Sequence, residues 1–118
     1  MKGPTPELDA VIHAPVRLKI AAVLASVNDA EFVTLREITG VSVSVLSKHL
    51  KALEDVGYVT LRKAEADGHI RTRIALTRVG HRAFAAHVAA LRELASAAYQ
   101  PLPKRSSSPI AGSRKSFA

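Results

Sequence analysis

The stretch "VSVSVLSKHLKALEDVGYV" occupies residues 41–59. Leu46, Leu50 and Leu53 recur at the spacing of one helical face, which predicts a buried stripe. At about 100° per residue, Ser44, Lys48, Lys51 and Asp55 fall on the opposite side. Ser47 lies on one flank, and His49 lies close to the buried edge. Ser42 is placed to cap this helix, which is expected to run on to Gly57. An exposed face built from short hydroxyls and lysines suits close approach to a polyanion.

Immediately before it, "FVTLREITG" (32–40) predicts a second, shorter helix. Thr34 and Glu37 have the spacing of a capping box, with Val33 and Ile38 placed as a hydrophobic staple. Gly40 suits a left-handed stop. Two short helices joined by a tight glycine-containing turn form a helix-turn-helix. Further upstream, Val16, Ile20, Val23, Leu24 and Val27 form one stripe of a helix whose first turn accepts Pro15. Asn28 and Asp29 break that stripe, and "LDAVI" (8–12) reads as a short leading helix.

Downstream of Gly57 the pattern changes to alternation. "YVTLRKAEADGHIRTRIAL" (58–76) has Asp67-Gly68 at its middle, a strong hairpin signal. A turn there sets Leu61 opposite Ile74 and Val59 opposite Leu76, four apolar side chains on one face. The other face carries Arg62 opposite Arg73, with Arg71 two residues along. Like charges so placed repel, so this face is expected to meet phosphate as a wing. The alternatives are a solvated hairpin face, or Arg73 paired with Glu65 or Asp67. Thr77 can cap a last helix in which Phe84, Val88, Leu91, Ala95 and Ala98 step by four and three, an a/d seam. That face either packs on the helix at 16–27 or pairs with a second copy. The three helices and the wing already make a core, so a dimer seam is the expectation, joined by Leu8, Val11 and Ile12.

Composition agrees. The chain has 118 residues, 47% of them hydrophobic, enough for one domain with a modest core. Lys and Arg number 17 against 10 Asp and Glu, for a net charge of +7 and a pI near 10.3, which favours an anionic partner. Residues 41–82 hold eight basic side chains against four acidic ones, so the opening stretch begins the positive part of the body. Residues 101–118 add Lys104, Arg105, Arg114 and Lys115, with no acid, in a Pro- and Ser-rich tail expected to be disordered. The expected domains are therefore an N-terminal extension at 1–7, a folded unit at 8–100 and a basic tail at 101–118. The chain has no cysteine, so disulfides and thiolate metal sites are excluded. The longest clear apolar run, "IAAVLA" (20–25), is a core segment and not a membrane span. No secretory leader is legible in "MKGPTPELD". A cytoplasmic protein is expected.

The element order helix, helix, helix, strand, turn, strand, helix predicts a mostly α fold with a β-hairpin wing. This is a winged helix-turn-helix with a C-terminal dimerisation helix. "LSKHLKALEDVGYV" (46–59) followed by "LTRVG" (76–80) resembles small bacterial and archaeal winged-helix regulators of the MarR/ArsR-like group, over about residues 8–95. The resemblance implies a homodimer on a pseudo-palindromic stretch of double-stranded DNA, with one recognition helix per half-site. It places Ser42, Ser44, Ser47 and Lys48 at recognition-helix contacts, Thr34 at a phosphate contact, and Arg71 and Arg73 on the wing. The residue pattern adds Lys51 and Arg62. The chain departs from the family at Val43 and Ser44, where Gly or Asp is common. His49 is expected to make a structural hydrogen bond, ahead of a base or phosphate contact.

The five histidines show no i, i+4 ligand pair, so no metal or other cofactor is expected. A small-molecule effector near the dimer helices is expected instead. Catalysis is not expected, because a phosphate-binding glycine loop, a nucleophile elbow and an acid pair set with a histidine are all missing from the sequence. The alternative to DNA binding is a winged helix that contacts protein within a transcription complex.

Overall fold

The computed structural model of the protein describes residues 7–99. The expected tail at 101–118, and all of the N-terminal extension except Glu7, lie outside the described residues. The elements are α1 (Ala10–His13), α2 (Pro15–Ala25), β1 (Ala30–Glu31), α3 (Phe32–Thr39), α4 (Val43–Asp55), β2 (Val59–Ala66), β3 (His69–Leu76) and α5 (Arg78–Ala98).

Local chemistry explains most boundaries. Asp9 caps α1 by accepting from the N–H groups of Val11 and Ile12. Pro15 opens α2, where its missing N–H has no helical partner to lose. Gly40 stops α3 in the left-handed region (φ 74°), and its N–H donates to the Arg36 carbonyl. The Ser42 hydroxyl accepts from the Val45 N–H at the head of α4. Asp67 and Gly68 both take positive φ, as a two-residue hairpin turn of the twisted type requires. The β2–β3 register is the expected one, with Val59 on Leu76, Leu61 on Ile74 and Arg62 on Arg73.

Three expectations are corrected. The capping box does not form, because α3 starts at Phe32 with Glu31 as its N-cap and Thr34 lies within the helix. The cause is β1, an edge strand absent from the expected elements. Ala30 pairs with Ile74 and Glu31 with Arg73, which holds the chain extended until Glu31 and leaves the helix to begin directly after it. Val33 and Ile38 are accordingly exposed and close no staple. The helix expected to reach Gly57 ends at Asp55. Val27 lies beyond the end of α2 and is exposed, while Ala21 joins Ile20 and Leu24 in the interior.

The core is one cluster in which α2, α3 and α4 close over the inner face of the sheet. It joins Ile20, Leu24, Ala30, Leu35, Leu46, Leu50, Leu53, Val59 and Ile74. The sheet order is β1-β3-β2, so β3 is central and both its edges are paired. At the foot of the wing, Thr77 links the layers. Its N–H donates to the Tyr58 carbonyl, its hydroxyl donates to the Gly57 carbonyl at 2.6 Å, and the same oxygen accepts from Gly80. The expected dimer seam lies along α5, the helix that Thr77 caps. The inward stripe of α5 is Gly80, His87 and Ala90, and Phe84, Val88 and Leu91 are half-buried beside it. Ile12 is 1% exposed and belongs to the interior of its own chain, while Leu8 and Val11 are half-buried.

Candidate nucleic-acid interface

Three fully buried leucines seat α4 on the core: Leu46, Leu50 and Leu53. That seating turns Ser44, Ser47, Lys48 and Lys51 outward, and all four are exposed. At the head of the helix the Ser42 and Ser44 hydroxyls lie 3.3 Å apart. Val43, between them, is 51% exposed, so the leading turn offers a methyl-bearing surface beside two hydroxyls. Lys48 makes no ion pair among the described residues. Lys51 is held by Asp55 one turn on, at 2.9 Å, and that hydrogen bond raises its affinity for the proton. Thr34 is exposed on the first turn of α3. The face is therefore short-chained, hydroxylated and cationic, as the sequence implies.

The wing differs from the expectation in its charge. Arg62 and Arg73 are opposite each other, but neither is without an acid. Arg73 makes two hydrogen bonds to Asp29 Oδ1, through Nη2 at 2.7 Å and Nε at 2.9 Å, and a third to Glu31 Oε2 at 3.2 Å. Arg71 pairs with Glu31 Oε1 at 3.2 Å, and Arg62 approaches Asp29 Oδ2 at 3.7 Å. The expected alternatives Glu65 and Asp67 play no part in these pairs. The physical reason is again β1. Its pairing with β3 sets Glu31 beside Arg73 on the arginine face, and Asp29 precedes it. Hydrogen bonds from Arg73 hold the Asp29 carboxyl below its ordinary 3.8. Two carboxylates thus answer three guanidiniums, and Arg62, the most exposed of the three at 65%, keeps the loosest pair.

Behind the face, His49 makes the structural hydrogen bond expected of it. Its partner is Arg17 of α2, with Nη1 3.1 Å from His49 Nδ1. Burial, then Arg17, then Lys48 hold the imidazole below its ordinary 6.5. A second polar cluster, not anticipated from the sequence, joins Asp9, Tyr58, His13 and His87. The Tyr58 hydroxyl donates to Asp9 Oδ2, and the Asp9 N–H donates to His87 Nδ1 at 2.9 Å. Burial alone would raise the Asp9 carboxyl, but the Tyr58 hydroxyl and the N–H groups of Ile12 and Val11 outweigh it. The readable signals were the seven- and ten-residue steps from Gly80 to His87 and Ala90, and an Asp just ahead of "AVI". Nothing in the sequence ties Tyr58 to either. Among the described residues there is no group of three or more His, Cys, Asp or Glu able to hold a metal ion, and no helix is long and apolar enough to cross a membrane.

A helix-turn-helix with its second helix exposed and cationic, flanked by a hairpin, defines the winged-helix class. The chain belongs to that family: residues 16–95 match the model of the winged helix DNA-binding domain. An uncharacterized protein of Methanocaldococcus jannaschii is 32% identical over 84 residues, covering 71% of this chain and 91% of that protein. The fold is shared with a transcriptional regulator homologue of Pyrococcus horikoshii OT3, at a TM-score of 0.73 and 24% identity, over 78% of this chain and 91% of that one. It is also shared with the heme sensor protein PefR of Streptococcus agalactiae, solved with heme, at a TM-score of 0.67 and 23% identity, over 80% and 65% of the two chains.

Proposed function

We propose that the protein is a cytoplasmic, sequence-specific transcriptional regulator that binds double-stranded DNA as a homodimer. The recognition helix α4 enters the major groove, and the wing lies on the adjacent backbone or minor groove. The observation that carries this reading is the outward face of α4, capped by Ser42 and seated by three buried leucines. Ser42, Ser44 and Ser47 approach base edges, while Lys48, Lys51 and Thr34 meet phosphate. On the wing Arg62 and Arg71 contact the backbone, and Arg73 acts mainly as the strut that holds β1 to β3. The exposed end of α5, with Leu94, Ala95 and Ala98, meets a second copy. A small-molecule effector belongs to this reading, as PefR was solved with heme. The protein's role is binding, without catalysis.

Selection of bound fragments from the host genome tests the reading and yields a half-site and its spacing together. On the selected duplex, Lys48→Ala should weaken specific and scrambled binding alike, with a salt slope shallower by about 0.9. Ser44→Ala and Ser47→Ala should change the preference among sequences. Equal small losses on both duplexes for all three variants would count against it. A protein-contact module is the second reading, favoured by the exposure of Val43 and Val45 on α4. Absence of salt-sensitive retention on a DNA column would support that reading instead.

A further inference from the structure

The recognition helix is held from behind by a contact whose chemistry permits one protonation state. A guanidinium carries donors and no acceptor. Arg17 Nη1 therefore donates to His49, and His49 Nδ1 must present a lone pair at 3.1 Å. The same guanidinium is aimed by a second hydrogen bond, from its Nε to the Val11 carbonyl of α1. α1 is fixed in turn by the far cluster. The Asp9 amide donates to Nδ1 of His87 on α5, and His87 Nε2 lies 3.4 Å from His13 Nδ1. A backbone N–H is also a donor alone, so His87 must likewise be bare at Nδ1. Polar contacts thus run from α5 through α1 and α2 to the recognition helix, and both histidines must be neutral for them to form.

The charged neighbours oppose protonation at the α4 end. His49 faces Arg17 from α2, and Lys48 from its own helix adds a like charge. At the α5 end His87 is 1% exposed; burial and His13 of α1 resist a proton, and the Asp9 carboxylate, shared with the Tyr58 hydroxyl, favours one. The balance leaves both rings below the ordinary histidine value of 6.5.

We propose that sequence discrimination on DNA by this protein is proton-linked: neutral His49, clamped by Arg17, sets the recognition helix in register, and acid releases it. The inference rests on the DNA-binding reading above, and Arg17 is in it a positioning residue that touches no base. The sign is distinctive. A histidine held below its ordinary value supports the fold above about pH 6.5 and loses that contribution as pH falls through the folded value. Simple charge attraction runs the other way, since added positive charge tightens non-specific binding to a polyanion. Acid should therefore weaken the selected duplex relative to a scrambled one of equal composition.

The experiment measures both affinities at constant salt from pH 7.5 down to about 5.5, across the ordinary histidine range. The wild-type ratio of specific to scrambled affinity should fall below neutrality, by up to about tenfold per pH unit. In His49→Gln, which keeps an acceptor for Arg17 and does not titrate, the ratio should no longer change with pH. In Arg17→Gln the ratio should already be low at neutral pH. A wild-type ratio that is flat or rises in acid overturns the proposal, as does an equal fall in His49→Gln. If neither duplex is bound at any pH, the DNA reading fails. The clamp is then judged by melting: a wild-type melting temperature no more acid-sensitive than that of His49→Gln overturns the titrating clamp itself.

Discussion

Arg73 shows how one residue changes role once its neighbours are known. Among the wing pairs it is the best formed, with three hydrogen bonds to two acids that precede it by about 40 residues. Such exposed pairs each contribute little, but geometry with several bonds in one network contributes more. Arg73→Ala should therefore lower the melting temperature by a few degrees and leave the salt slope of DNA binding nearly unchanged. Arg62→Ala should do the reverse. Thermal melting and the salt slope measured on both variants check this, and a stable Arg73→Ala with a shallower slope would return Arg73 to the phosphate contacts. Tyr58 is a second case. Its hydrogen bond to Asp9, with burial behind it, pushes the phenol up to about 12. A group raised in the folded state contributes stability below its unfolded value, near 10, and loses it as pH rises through the folded one. Stability should thus fall by up to about 3 kcal/mol between those limits, and Tyr58→Phe should remove that alkaline dependence. Denaturant titrations of both proteins across that range measure it.

At the scale of elements, the junction of wing and last helix is the tightest fit among the described glycines. A Cβ on Gly80 would lie inside the envelope of the Tyr58 carbonyl oxygen and press on Leu76. The obstacle is backbone, already fixed by the Thr77 N–H at 2.9 Å, so it cannot rotate aside. Gly80→Ala should therefore cost about 1–3 kcal/mol, despite the better helix propensity of alanine. A midpoint of urea unfolding equal to or above wild type would show that α5 can shift without loss. The same junction explains why α5 turns Gly80, His87 and Ala90 inward, and why the a/d steps through Phe84, Val88 and Leu91 mark a flank instead.

For the whole molecule, the exposed apolar residues at the end of α5 are what a second copy would cover. Leu94 is 46% exposed and Tyr99 87%, past the region where α5 packs on its own chain. Under the dimer reading, Leu94→Asp should give a folded monomer, because the carboxylate is solvated in the single chain and stranded in the pair. Leu91→Asp should instead lower the stability of the protomer itself, since Leu91 is half-buried in it. Light scattering with circular dichroism separates these outcomes, and a Leu94→Asp protein that remains dimeric excludes this end of α5 as the seam.

The sequence by itself determined the elements whose causes are local. The leucine stripe of α4, the Ser42 and Thr77 caps, the Gly40 stop and the Asp67-Gly68 turn each depend on residues within a few positions of one another. Helical and strand periodicity therefore sufficed to place them, with the hairpin register. The outward face of α4 followed from the same periodicity. Tertiary structure decided what depends on distant partners. A two-residue strand has too short a pattern to be read, yet β1 moved the start of α3 and brought Glu31, with Asp29 just ahead of the strand, to the wing arginines. The Arg17–His49 clamp and the Asp9–Tyr58–His87 cluster join residues 32 to 78 positions apart. Their hydrogen bonds are directional and short-ranged, so they form only when packing of the apolar core brings the groups into contact, and one-dimensional spacing carries no trace of them.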